Sequence, residues 1–167
     1  MSVSPVFLMK FKNTIERILH VKGNYSGGIL EMAVVIDHSL SKEQVTEWMP
    51  LLIATLKRQS EVFRNVRFNV VNWVSDESIS SQVSPMAVAG MTGYYEQYEC
   101  VKTEKDFMKL VAYLKLFQAR AKVMILLTDG RFVSSAPEAE KAAMQPFLDK
   151  KLMQVVIGEA ADVKYRW

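Results

Sequence analysis

The sequence predicts an α/β protein built on a mostly parallel sheet, and three observations carry that expectation. Continuous apolar runs of strand length, Leu30–Asp37 and Lys122–Thr128, alternate with stretches whose apolar residues recur at helical spacing. An uninterrupted apolar strand suits the middle of a sheet covered on both faces, because neither side meets water. Strands joined through helices need crossover connections, which set neighbouring strands parallel. The chain has 167 residues, half of them hydrophobic, which is enough for one sizeable core. A single domain over 1–167 is therefore expected, with 1–28 as a helical extension and 29–162 as the core.

The elements follow in order. Ile15, Ile18 and Leu19 lie at helical spacing within a helix predicted around Lys12–His20, which closes at the breakers of KGNYSGG. Leu30–Asp37 is the first strand. After Ser41 the period changes: Val45, Trp48, Met49, Leu52 and Leu56 share one helical face, with Pro50 expected to kink that helix or shift its start. VRFNVVNWV, Val66–Val74, is rich in β-branched and aromatic residues and predicts a second strand. The Ser- and Gly-rich Ser75–Gly93 is expected to be a long loop, and Tyr94–Val101 an edge strand. Phe107, Leu110, Val111 and Leu114 mark a second amphipathic helix. KVMILLT follows as a strand, then a helix around Glu138–Lys151, and Met153–Ile157 as the last strand.

Composition narrows the function. The formal charge is +3, and the 21 Lys and Arg are dispersed rather than gathered into a basic stripe interleaved with aromatics. Nucleic acid is not an expected partner. The single cysteine, Cys100, excludes an intrachain disulfide and favours a reducing compartment. One Cys with two separated His, His20 and His38, does not make a zinc site of the usual spacing. The N-terminus lacks the pattern of a signal peptide, and no apolar run is long enough to span a bilayer. A cytoplasmic protein without a membrane partner is expected.

Chemistry concentrates where two apolar strands each end in an aspartate, Asp37 and Asp129. In parallel sheets ligands bind beyond the carboxyl ends of the strands. Asp37 is followed by Ser39 and Ser41, alternate hydroxyls in one turn, and Mg2+ and Mn2+ favour such oxygen ligands. DHSLS (Asp37–Ser41), TDG (Thr128–Gly130) and the closing VVIGEAAD (Val155–Asp162) together resemble the von Willebrand factor A (vWA) family, which includes the integrin inserted domains. The likeness covers roughly Ile29 to Asp162, most of the chain, and DHSLS matches the family's Asp-x-Ser-x-Ser motif at all three fixed positions.

That resemblance implies a three-layer, Rossmann-like α/β/α fold with one antiparallel edge strand, here shortened at the C-terminus. It also implies a metal-ion-dependent adhesion site holding Mg2+ or Mn2+ through Asp37, Ser39, Ser41, a loop threonine and Asp129. Thr103, immediately before a helix, is the expected threonine; Thr92, with glycine neighbours, is the alternative. In the family the ion accepts an Asp or Glu carboxylate from a partner protein, so binding rather than catalysis is implied. Other readings of the same residues stand beside it. Ser41 with Gln44 forms a capping box, Thr103 suits a helix N-cap, and Asp129-Gly130 suits a turn. A metal-free scaffold of the same fold is one alternative function. The other is a Mg2+-dependent phosphoryl hydrolase with an Asp nucleophile, although Ser39 stands where such enzymes have a second Asp. His38 is expected to pack locally, and Cys100 to be structural.

Overall fold

The computed structural model describes residues 6, 9–13, 17, 29–60, 65–81, 98–115, 123–144, 153–156 and 162–165. Its strands are β1 (Ile29–Asp37), β2 (Asn65–Trp73), β3 (Ile79–Ser81), β4 (Val123–Thr128), β5 (Met153–Val156) and β6 (Asp162–Tyr165). The helices are α1 (Lys42–Ser60), α2 (Phe107–Leu114) and α3 (Pro137–Met144). One six-stranded sheet results, in the order β3-β2-β1-β4-β5-β6. The four inner strands are parallel, and both edges, β3 on β2 and β6 on β5, are antiparallel. The fold is the α/β, Rossmann-like arrangement that the alternation of strands and helices predicts.

Crossover handedness distributes the helices. The path from β1 through α1 to β2 moves one way across the sheet, whereas the path into β4 through α2 moves the other way. Right-handed crossovers in opposite directions place α1 and α2 on opposite faces. The step from β4 through α3 to β5 continues in the second direction and puts α3 beside α2. The packing agrees with this. Ala33, Val35, Val71, Trp73, Met124 and Leu126 form one buried cluster with Phe107, Leu110, Val111 and Leu114 of α2 and Met144 of α3. Val34, Ile36, Val70, Ile125 and Leu127 are buried on the other face, as are Val45, Trp48, Met49 and Leu52 of α1. Residues 9–13 are helical, and the Phe11 ring stands edge-on to Trp48 at 5.8 Å.

Three sequence expectations change. The antiparallel edge strand on the β2 side is Ile79–Ser81, inside the stretch expected to be a loop, while residues 98–101 of the expected edge strand are irregular. Pro50 lies exposed within α1, which starts at Lys42, directly after Ser41. A strand beyond Met153–Ile157 exists, because β6 folds back on β5. Cys100 is an exposed free thiol rather than a packed one. Ile15, Ile18, Leu19 and Thr92 lie outside the described residues. Among the described residues, no helix is long and apolar enough to cross a membrane.

A capping aspartate anchors the start of α2. Asp106 is the N-cap, accepting from Met108 N, and its other oxygen accepts from the Ser135 hydroxyl. The Ser135 hydrogen bond, then that of Met108, holds the Asp106 carboxyl below the usual carboxylate range. Asp106→Ala should lower stability by about 1 kcal/mol at neutral pH. Because the folded pKa is depressed, this contribution is present above the unfolded pKa and lost as pH falls through the folded one. Urea unfolding of both proteins should therefore show their difference shrinking on moving from neutral pH into the acid range.

Candidate functional site

Strand parity decides which side chains meet at the carboxyl edge. Asp37 follows Ala33 and Val35 on the α2 face of β1. The β1–β4 register, with Ile36 opposite Leu127, brings Thr128 opposite Asp37 on that same face. Asp129 comes one residue later, past the end of β4. Thr128 therefore donates its hydroxyl hydrogen to Asp37 Oδ2 at 2.6 Å, while its own oxygen accepts from Gly130 N at 3.0 Å. Gly130 supports this turn with φ of 79°, a conformation that a Cβ would oppose.

The other carboxylate oxygen is equally committed. Asp37 Oδ1 accepts from Ser39 N at 2.9 Å and from Lys105 Nζ at 2.7 Å. Lys105 Nζ also donates a short hydrogen bond to Ser39 Oγ and lies 5.7 Å from the centre of the Trp73 ring. Asp37 is 1% exposed and Lys105 2%. An ammonium so deeply buried needs this set of partners, namely a carboxylate, a hydroxyl and an aromatic face, because its own desolvation is costly. The backbone fixes it on both sides: Val133 N donates to Lys105 O at 2.7 Å and Phe107 N to Val133 O at 2.8 Å.

The other expected ligands have partners of their own. Ser41 and Gln44 form the reciprocal capping box: Ser41 N donates to Gln44 Oε1 at 2.9 Å, and Gln44 N to Ser41 Oγ at 3.1 Å. Thr103 is exposed and donates its hydroxyl hydrogen to Val74 O at 2.9 Å. Asp129 accepts from Arg131 N at 3.1 Å in a tight local turn. Two of the five expected ligands, Asp37 and Ser39, thus share one direct partner, and that partner is a lysine. His38 packs locally, with its ring 4.5 Å from Tyr98 and its nitrogens at 2.8 Å from Glu99 O and 3.0 Å from Asn72 Oδ1. Tyr98 gives its hydroxyl hydrogen to Leu40 O at 2.6 Å. Burial first, then the Cys100, Asp37 and Asp129 charges, pushes Tyr98 ionisation upward.

This donor set does not fit a divalent ion while Lys105 holds its position. An ion about 2.1 Å from Asp37 Oδ1 and Ser39 Oγ would stand roughly 4 Å or less from the ammonium. At an effective dielectric constant of about 20, the repulsion between a double and a single charge at that distance is about 8 kcal/mol. Nor do other acids converge to offset it: among the described residues, no group of three or more His, Cys, Asp and Glu side chains is arranged to hold a metal.

Lys105 and Thr128 are the site residues that sequence reasoning missed. Thr128 carries a partial signal, since it ends the apolar run of β4 as Asp37 ends that of β1, and the register of the two strands puts both on one face. Lys105 carries none locally, because a lysine before a helix is ordinarily solvated. Lys102 adds a second cation, donating to Ser39 O at 2.9 Å. No family model and no curated protein matches the chain.

The ion pair predicts a mutational pattern. Asp37→Ala should destabilise by about 3–5 kcal/mol, because it strands a buried ammonium. Adding Lys105→Met to that variant should restore most of the loss. Denaturant unfolding of the two singles and the double closes the cycle.

Proposed function

We propose that the chain is a vWA-type protein-binding module that performs no catalysis and uses the carboxyl edge of its sheet as the contact surface. The observation that carries this reading is the placement of DHSLS and TDG at the ends of adjacent parallel strands, β1 and β4, in a three-layer α/β fold. Three segments converge there: the 37–41 turn, residues 98–106, and the loop from 129 to 136. The first two are joined by Val101 N donating to His38 O at 2.8 Å, and the last two by the backbone bridge between Asp106 and Val133.

The partner suggested by the resemblance presents an Asp or Glu carboxylate. Lys102 and Arg131, both exposed, are two cations at this rim that can meet it. The Mg2+ or Mn2+ form of the module requires Lys105 to leave Asp37 and Ser39 first. A phosphoryl-transfer role is less well supported: Asp37 is 1% exposed and both its oxygens are hydrogen-bonded, an arrangement that does not present it to a phosphoester.

Zero-length carbodiimide crosslinking tests the reading directly, since it joins a lysine amine to a carboxylate in contact with it. Peptides linking Lys102 to an Asp or Glu of a partner protein are expected. Charge reversal by Lys102→Glu with Arg131→Glu should weaken capture of that partner by about tenfold or more. Lys115→Glu, at the opposite end of α2, should leave it unchanged. Equal capture by all three proteins, or turnover of generic phosphoesters by the purified chain, overturns the reading.

A further inference from the structure

We infer that the Lys105 ammonium is a tethered cation standing in the place of a divalent ion, so that the DHSLS turn is held without metal. The inference rests on the vWA reading of that turn. Its structural basis is that Lys105 Nζ bridges Asp37 Oδ1 and Ser39 Oγ, the first two oxygens of the motif, at hydrogen-bonding distance. Lys105 thereby takes over what an ion would supply. It neutralises a carboxylate that is 1% exposed, and it fixes the Ser39 hydroxyl relative to Asp37. Through the bridge at Asp106 and Val133 it also ties the turn to two other loops. The Trp73 ring, 5.7 Å from Nζ, gives the ammonium an apolar wall with a negative face. A doubly charged, octahedral ion that keeps several waters has no use for such a wall.

Placement supports the assignment. Lys105 is two residues before Phe107, which is fully buried against Trp73 and Phe132. Docking of α2 therefore carries the lysine to the edge at fixed depth. Its carbonyl accepts from Val133 N, and Phe107 N donates to Val133 O, so the backbone that carries the lysine is fixed against the loop after β4.

Removing the amine should then uncover a cation site. The test uses the full chain, wild type and Lys105→Ala, with MnCl2 or MgCl2 as the only added ligand. The wild type is expected to show no Mn2+-dependent change in thermal midpoint and no paramagnetic broadening of the Ser39 and Thr128 amide signals. Lys105→Ala is expected to unfold at lower temperature without metal. Millimolar Mn2+ should raise its midpoint by about 3 °C or more and broaden those same amides. Asp37→Asn added to Lys105→Ala should abolish the rescue.

Three results overturn the inference. One is specific Mn2+ binding at Ser39 and Thr128 in the wild type, which would mean that ion and lysine coexist. The second is a folded Lys105→Ala that gains no Mn2+ response. The third is a Lys105→Ala chain that stays unfolded in millimolar Mn2+ while Lys105→Met folds, because the lysine would then supply volume rather than charge. None of these readouts needs a partner, whereas partner capture that is unchanged by Lys102→Glu with Arg131→Glu sinks the module reading separately.

Discussion

The carboxyl edge of this sheet depends on one buried ion pair. Asp37 and Lys105, 2.7 Å apart and almost wholly removed from water, join two segments that are 68 residues apart in sequence. Burial of two charges costs several kcal/mol per ion, and their attraction offsets this only when the remaining hydrogen-bonding capacity is used. Here it is used. The second Asp37 oxygen takes the Thr128 hydroxyl, and the second donor of the ammonium takes Ser39. Each neighbour is in turn held by backbone, Thr128 through Gly130 N and Ser39 through its own N–H to Asp37. The pair forms the centre of a hydrogen-bonded network that ties together the loops around it.

The pair lies so deep because of the aromatic packing beneath it. Trp73, Phe107 and Phe132 contact one another with ring centres 5.3 to 6.2 Å apart. They come from β2, α2 and the loop after β4, so burying them pulls three connections onto one spot. Aromatic side chains bury large areas and favour tilted or edge-on contacts of this kind. The resulting floor excludes water, lowers the local dielectric and strengthens the charge pair above it. Hydrophobic packing and electrostatics therefore act in series: α2 docks by its apolar face, and docking delivers the lysine to the aspartate.

Much of this fold was legible in the sequence, and the site only in part. β1, β2, β4 and β5 fall within a residue of the runs Leu30–Asp37, Val66–Val74, Lys122–Thr128 and Met153–Ile157, because strands buried in the middle of a sheet are rich in apolar, β-branched and aromatic residues. The face of α2 is legible for the same reason, with Phe107, Leu110, Val111 and Leu114 all buried. Short polar edge strands such as Ile79–Ser81 carry no such signal, since the pairing that defines them lies on another segment. At the site, the sequence locates Asp37 and Ser39 correctly at a strand end. It does not reveal Lys105, because a burial depth set by the docking of a neighbouring helix leaves no periodic trace. Asp129 attracts attention as the motif residue, yet strand parity turns Thr128 toward Asp37 instead.

A cation attached to the chain and one drawn from solution give a contact surface different properties. Occupancy of a metal site follows ion concentration, so any contact built on it rises and falls by mass action. A lysine is present at one equivalent under all conditions, and its position is secured when α2 packs. Its charge is single, however, and it is buried with two of its three hydrogens on Asp37 and Ser39, so it is not open to a partner carboxylate. In the proposed module, recognition passes outward to groups that still reach solvent, among them Lys102, which bonds to Ser39 O of the turn. In the proposed arrangement, the buried lysine keeps the turn in shape and the exposed one meets the partner. The two tasks that a single bound ion combines are thereby divided between two side chains three residues apart.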